Sequence, residues 1–187
     1  MTELFERLVR ALPHVEHWID ELHSQNMRQA RPASESGHVR LGSYLPSAFL
    51  TETRFVIVDT IPFPPVSVYG LPEFQVMAEM SMAGITFGNM YFLHPSHATE
   101  GVHFHELVHV VQWRTLGVRR FLLTYALGIL QHGYEASPLE AIAFDYQARF
   151  DRGLAVPPVV ENVARHAEQT REVAAAVYRA SGINMDA

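Results

Sequence analysis

Apolar residues recur every three or four positions along the first part of the chain. They keep a period near 3.6 residues, at Leu4, Leu8, Leu12, Val15, Ile19 and Leu22. This spacing predicts amphipathic helix over residues 3–29, with one face buried. Pro13 has no backbone N–H to continue a helical ladder, so the same stretch is predicted to divide into two helices at that point.

The pattern changes to that of strands in the middle of the chain. Residues 30–50 are rich in Ser, Gly and Pro and predict a loop, whereas residues 55–61 have the β-branched enrichment of a buried strand. A short second strand is predicted over residues 66–69. The next strand is predicted over residues 85–93, where Gly88-Asn89 indicates a bulge, a turn or a close backbone approach.

Helical periodicity returns after residue 100. One helix is predicted over residues 102–115, ending at Gly117, and a more apolar one over residues 118–131. A third begins at Ser137-Pro138-Leu139-Glu140, a capping serine followed by proline and then glutamate. The last helix is predicted over residues 159–180. The chain is therefore predicted to be one α+β domain over residues 1–187, with its core in about residues 55–150 and flanking helices at 3–29 and 159–180.

The amino-acid composition limits the classes of function and of metal site that the chain can have. Hydrophobic residues make up 48% of the chain, and the net charge of −6 is unlike that of a nucleic-acid-binding protein. The chain has no cysteine but 11 histidines, so a metal site would use His, Asp or Glu. The first residues lack the features of a signal peptide, and the longest apolar run, residues 121–130, is too short to cross a bilayer. A cytoplasmic protein without a membrane partner is expected.

The strongest chemical signal is His105-Glu106-Leu107-Val108-His109, an H-E-x-x-H motif within a predicted helix. Residues four apart lie on one helix face, so both imidazoles can reach one metal ion. Zinc suits imidazole nitrogen, and a catalytic zinc has three protein ligands and a water. Glu106 lies about 100° round the helix from His105, where it can face that water as a general base.

A third ligand must come from elsewhere in the chain. Gln112 and Thr115 occupy the positions where a metzincin has glycine and a third histidine, which argues against that subclass. The nearest acidic residues are Glu135, Glu140 and Asp145, of which we favour Glu140. The competing interpretation is that Glu140 completes a capping box and binds nothing. Spare histidines that could serve as ligands are His94, His97 and His132.

These motifs carry a resemblance to a known family. Residues 105–112, followed by Tyr134-Glu135-Ala136-Ser137-Pro138-Leu139-Glu140-Ala141, resemble the small bacterial gluzincin-type zinc metallopeptidase domains. The resemblance covers about residues 55–150 and implies a zincin-like fold. It implies that His105, His109 and Glu140 bind zinc and that Glu106 is the general base. Ser137 departs from the family, which often has asparagine there.

The expected function is zinc-dependent hydrolysis of a peptide or protein substrate. An extended substrate could pair with the strand at residues 85–93. Tyr134 is the favoured hydrogen-bond donor to the oxyanion, with Tyr125 and His132 as alternatives. Two rival hypotheses remain. In one, the metal is structural within a non-catalytic interaction module; in the other, His105 and His109 are hydrogen-bonded core residues without a metal. The sequence does not predict an oligomeric state.

Overall fold

The computed structural model describes residues 2–186 and has an α+β architecture. Six helices surround a small mixed sheet. The helices are α1 Thr2–Asn26, α2 Ser47–Glu52, α3 Gln75–Ala78, α4 Glu100–His132, α5 Pro138–Asp151 and α6 Val159–Ala180. The strands are β1 Arg31–Pro32, β2 Arg54–Ile57, β3 Gly84–Phe87 and β4 Met90–Leu93, and short 3-10 helices lie at 33–35, 39–43, 72–74 and 95–97.

The sheet has the order β1-β2-β4-β3. β2 and β4 run parallel, while β1 and β3 are antiparallel to their neighbours. The stretch predicted as one strand over residues 85–93 is a hairpin, since Gly88 and Asn89 form a tight turn between β3 and β4. β3 therefore lies at an edge of the sheet, and this edge faces the first half of α4.

α4 is the central element of the core. The apolar face of its first half, which includes Phe104, Leu107 and Val108, is fully buried against the sheet, α5 and α6. Its second half packs on α1 through a separate cluster that includes Leu123 and Leu127. The long helices α1, α5 and α6 and the sheet all contact α4, so its side chains are held in place from several directions.

The predicted division of α4 at Gly117 is confirmed as a sharp kink. Gly117 has φ 73° and ψ 168°, a backbone conformation that is open almost only to glycine. The two halves are continuous in sequence but change direction at this residue.

Two sequence predictions about the N-terminal half are wrong. α1 continues through Pro13, because buried residues on both sides of it, such as Leu12 and Val15, hold the helix by tertiary packing. Residues 66–69 form turns rather than a strand. The N–H groups of Val66 and Tyr69 bond back to Pro64 and Pro65, and the chain reverses at Gly70 with φ 79°.

Smaller differences concern element bounds. α1 ends at Asn26, short of the predicted residue 29, and β2 ends at Ile57 rather than at 61. The predicted loop at 30–50 contains β1, two short 3-10 helices and the start of α2. The last helix, α6, has its predicted bounds. Over residues 2–186, no helix is both long enough and apolar enough to span a bilayer.

Candidate metal centre

The two histidines of the H-E-x-x-H motif lie on the same face of α4. Their Nε2 atoms are 3.0 Å apart, and each side chain is almost completely buried. α4 begins at Thr99, whose hydroxyl accepts a hydrogen bond from the N–H of Val102, so the motif starts on the second turn of a capped helix. The predicted pairing of the two imidazoles on one helix face agrees with the structure.

Glu140 comes from the first turn of α5 and completes the cluster. Its Oε2 lies 3.5 Å from His105 Nε2 and 3.4 Å from His109 Nε2. Its other oxygen, Oε1, accepts a hydrogen bond of 2.6 Å from the Tyr125 hydroxyl. The Ser137 side chain makes no capping hydrogen bond. The carboxylate of Glu140 is thus directed at the imidazoles and not back at the helix terminus.

The three facing atoms have the spacing of a tetrahedral metal site. Zinc holds nitrogen and oxygen at about 2.0–2.1 Å, which separates tetrahedral ligands by about 3.3–3.4 Å. The observed separations of 3.0, 3.4 and 3.5 Å are close to this. Glu140 Oε2 is buried and forms no hydrogen bond, although it faces both imidazoles. A buried carboxylate oxygen without a partner is costly, and a cation at the shared point would satisfy it.

The charges of the cluster shift its acid–base properties. Burial alone would raise the pKa of Glu140, but the neighbouring His109 and His105 outweigh it and hold that pKa far below its usual value. Burial lowers the pKa of His109, but the negative charge of Glu140 outweighs it and raises the pKa to about 9. Without an ion, the cluster therefore retains a proton on imidazole, which a bound metal must displace.

Gln112 orients His109 from one turn further along α4. Its Oε1 lies 2.8 Å from His109 Nδ1, and its Nε2 donates to the carbonyl of Leu139 at 2.8 Å. With the amide oriented by Leu139, His109 Nδ1 is the hydrogen-bond donor, so Nε2 faces the cluster and becomes a free base once the retained proton is displaced. The same side chain joins α4 to α5 next to Glu140, so it positions candidate ligands on both helices.

Replacing Gln112 with leucine should weaken zinc binding by roughly 10–100-fold, the usual cost of losing a partner that orients a ligand histidine. The physical reason is that His109 loses both its fixed tautomer and its orientation. Zinc affinity would be measured by competition with a chromophoric chelator. Gln131→Leu makes the same change at an exposed position near the end of α4 and should leave affinity unchanged. Equal affinities in both variants would contradict this role for Gln112.

His105 is held differently. Its Nδ1 is buried without a hydrogen-bond partner, and its ring packs against Phe144 with centroids 4.7 Å apart.

His103, two residues earlier, lies away from the cluster. Its Nδ1 is 2.7 Å from the Tyr91 hydroxyl, and burial lowers its pKa to about 3. It is therefore a neutral core residue that fixes α4 to the sheet.

Glu106 lies beside the cluster without joining it. The Thr86 hydroxyl on β3 donates to Glu106 Oε2 at 2.6 Å, so the sheet edge holds this carboxylate in place. Burial raises the pKa of Glu106, although the two imidazoles and the Thr86 hydrogen bond oppose the rise. Among residues 2–186, the atoms that could ligate one ion come from His105, His109 and Glu140. Glu106 thus has the environment of a base and not of a ligand.

Gly84 on β3 leaves the space that Glu106 occupies. A Cβ at this position would lie 2.7 Å from Glu106 Oε1, 2.6 Å from a methyl of Leu93 and 3.0 Å from the carbonyl of Phe92. A real Cβ essentially never comes within 3.0 Å of another heavy atom, so the ends of the Leu93 and Glu106 side chains would have to shift, and the Phe92 carbonyl would be in very tight contact. A side chain at residue 84 would therefore disturb the position of Glu106.

Gly84→Ala should lower the free energy of unfolding by about 1–3 kcal/mol, as overpacking of a dense site does, and displace Glu106. Urea denaturation would measure the loss. Gly42→Ala is a matched control, since a Cβ at residue 42 would meet no atom within 4 Å. If both alanine variants were equally stable, the tight packing of Gly84 against Glu106 would be disproved.

The other candidates from the sequence lie away from the three ligands. His94 is bonded to Ser96 on an exposed loop, where it packs against His97. Glu135 is exposed, and exposed Asp145 forms an ion pair with Arg149. His132 is exposed at the end of α4. None of these belongs to the metal-ligand cluster of the described chain.

The three candidates for the oxyanion donor differ in their hydrogen bonds and in whether they line the cavity beside the cluster. Tyr125 is already bonded to Glu140, and His132 does not line the cavity beside the cluster. Tyr134 does line it, partly buried, next to Glu140. Burial, followed by the charges of Glu140 and Glu106, raises the pKa of Tyr134 far above its usual value, so its hydroxyl keeps its proton. Tyr125 and Tyr134 both line the cavity and both keep their protons, but the Tyr125 hydroxyl already donates to Glu140, which favours Tyr134 as the free donor.

A cavity of about 140 Å³ adjoins the cluster. It is lined by the inward face of α1, residues 63–82, β3 and both halves of α4. The sequence pattern did not associate α1 with the site; it indicated Tyr125 only as a possible oxyanion donor and Thr86 only as part of the predicted strand. Each of these lies far from its partner in sequence, so only the tertiary packing brings them together.

Comparisons with known proteins gave no relative from which a function could be transferred. No protein-family model matches the chain, and neither a curated protein nor a solved structure matches it significantly. Functional inference therefore depends on the chemistry of the cluster and its surroundings.

Proposed function

We propose that this protein is a zinc-dependent hydrolase that cleaves peptide bonds, with the zincin-like fold and gluzincin-type ligands that its motifs resemble. The observation that carries the proposal is the convergence of His105, His109 and Glu140 at tetrahedral spacing, with Glu106 held next to them. Two histidines and a glutamate are a ligand set of catalytic zinc in peptidases. Oxygen and imidazole ligands without thiolate also suit other divalent ions, so zinc identity is part of the proposal.

The number of ligands supports catalysis over a structural role. A structural zinc is closed by four protein ligands, whereas a catalytic zinc keeps one position for water or substrate. The described chain supplies three donors, and the cavity lies on their remaining side. When bound, zinc would lower the pKa of a coordinated water toward 7 and polarise the scissile carbonyl.

The neighbouring side chains supply the remaining chemistry. Glu106 would take the proton of the attacking water and deliver it to the leaving amine, a task that favours a carboxylate whose pKa is raised by burial. The Thr86 hydrogen bond fixes the orientation of this carboxylate. The Tyr134 hydroxyl would donate a hydrogen bond to the developing oxyanion.

The edge of the sheet offers a means of holding an extended substrate. His94 donates its N–H to the carbonyl of Ala83, so in the alternating antiparallel pattern Gly84 and Thr86 direct their backbone groups away from β4. These groups border the cavity beside Glu106. A peptide that paired with this edge would form its backbone hydrogen bonds with β3 next to the carboxylate of Glu106.

The proposal is tested by metal content and cleavage together. Protein purified without added metal should contain one zinc per chain and cleave a pool of fluorogenic peptides. Treatment with 1,10-phenanthroline should stop cleavage, and added zinc should restore it. Protein without metal would support the hypothesis of hydrogen-bonded core histidines. Stoichiometric zinc without cleavage, together with a fourth protein ligand in a zinc-loaded structure, would support the structural role.

A further inference from the structure

The cavity beside the cluster is apolar except where the cluster itself forms its wall. Its acidic lining residues are Glu106 and Glu140, and no lysine, arginine or aspartate contributes to it. The remaining walls are aliphatic and aromatic, with Thr86 and two tyrosines near the cluster. Such a surface favours an apolar group and opposes a charged one, which would lose its hydration without gaining a partner.

α1 forms one wall of this cavity with a regular set of side chains. Leu8, Ala11, Leu12 and Val15 all line it, spaced as one face of a helix. α1 lies outside residues 55–150, where the metallopeptidase resemblance is found. The shape of the cavity is therefore set in part by α1, and not by the motif helix alone.

The volume limits the size of the group that fits. The cavity of about 140 Å³ is close to the roughly 150 Å³ of an engineered apolar cavity in another protein that takes up benzene. A leucine or phenylalanine side chain has this size, and a bulky polar side chain would meet apolar walls wherever it lay away from the cluster. Of the α1 residues, Ala11 has the smallest side chain, and a larger one there would project into the space.

We infer that the substrate presents a large apolar side chain, of the size of leucine or phenylalanine, at the residue next to the cleaved bond, and that α1 selects it through Ala11 and Leu12. The inference rests on the proposed peptidase function. The apolar side chain would enter the cavity while the adjoining carbonyl lies at the zinc site and the backbone follows β3. Substrates with aspartate or lysine at that residue would be excluded by desolvation.

The first experiment compares cleavage by the zinc-loaded full-length protein across a peptide pool that varies the residues on both sides of the bond. At one of the two positions, leucine or phenylalanine should exceed alanine by at least about tenfold in kcat/KM, and aspartate and lysine should be cleaved least. Ala11→Phe should abolish the preference for large residues, whereas Leu12→Ala should shift it from leucine toward phenylalanine and tryptophan. Asp20→Leu, an exposed substitution on α1, should change nothing.

The second experiment needs neither zinc nor catalysis. Benzene titrated into the metal-free protein should shift the methyl NMR signals of Leu8, Leu12 and Val15 in a saturable way. Ala11→Phe should remove this response if its methyl spectrum remains that of a folded protein, and Asp20→Leu should retain it. Leu12→Ala gives an independent reading should Ala11→Phe fail to fold, because its larger cavity should still bind benzene.

The outcomes distinguish this inference from the proposed function. Zinc-dependent cleavage with no preference for apolar residues, or with a preference unchanged in both α1 variants, overturns the inference and leaves the peptidase function standing. Absence of benzene binding in the wild type also overturns it. Absence of any zinc-dependent cleavage overturns the peptidase function, and the substrate assignment falls with it.

Discussion

Glu106→Gln should abolish peptide hydrolysis while zinc remains bound. The glutamine side chain has nearly the same shape and still accepts the Thr86 hydrogen bond, but it cannot take a proton from water. Removing a positioned general base costs roughly 10²–10⁴-fold in rate. The loss should appear in kcat/KM for the best peptide of a fluorogenic pool, with zinc content measured on the same preparation.

Glu135→Gln is the matched control for this experiment. It makes the same change at an exposed residue close to the site in sequence, and its activity should equal that of the wild type. If Glu106→Gln cleaved peptides at the wild-type rate with zinc bound, Glu106 would not be the base. If it lost zinc, then Glu106 would support the metal site itself, contrary to its position outside the three ligands.

Glu140→Gln should remove zinc. The carboxylate is the anionic member of the cluster, and its Oε2 faces both imidazoles without any other partner. A neutral amide is a poor zinc ligand, so affinity should fall by more than the roughly 10–100-fold that loss of an orienting partner costs. Activity should be lost in parallel. Competition with a chromophoric chelator would give the affinity.

Asp145→Asn provides the comparison on the same helix. Asp145 is the alternative acidic ligand, but it is exposed and paired with Arg149. Its amide variant should bind zinc as the wild type does. The opposite result, with zinc lost in Asp145→Asn and kept in Glu140→Gln, would reverse the ligand assignment and contradict the observed geometry.

The cluster was predictable because its main signals are local. The spacing of His105 and His109 determines that they share a helix face, whatever surrounds the helix. Glu140 was a weaker prediction, since its position also fits a capping box. The structure separates the two roles by the direction of the carboxylate, which depends on how α5 docks against α4. That docking involves contacts such as Gln112 with Leu139, which no single segment reveals.

The rest of the site and fold depended on contacts between distant segments. Apolar periodicity identified the buried face of α1 but not what it would cover. Thr86 contacts Glu106 from β3, and Tyr125 contacts Glu140 from the second half of α4. No local sequence pattern indicates either contact. The predicted break of α1 at Pro13 was wrong because the local preference of proline for ending a helix was weaker than the tertiary packing of the helix on both sides of it. Residues 66–69 form turns and not a strand because the N–H groups of Val66, Val68 and Tyr69 bond back to the preceding prolines.

The origin of the ligands has a consequence for folding. Glu140 follows His109 by 31 residues, so an ion held by both would close a loop that contains the second half of α4. In a protein without cysteine, such an ion would join distant segments of the folded chain, and it would stabilise them through its binding free energy, not by constraining the unfolded chain as a disulfide does. Binding to the folded state alone at a thousandfold excess over Kd would add about 4 kcal/mol to the free energy of unfolding. Metal occupancy and folding would then be one coupled equilibrium.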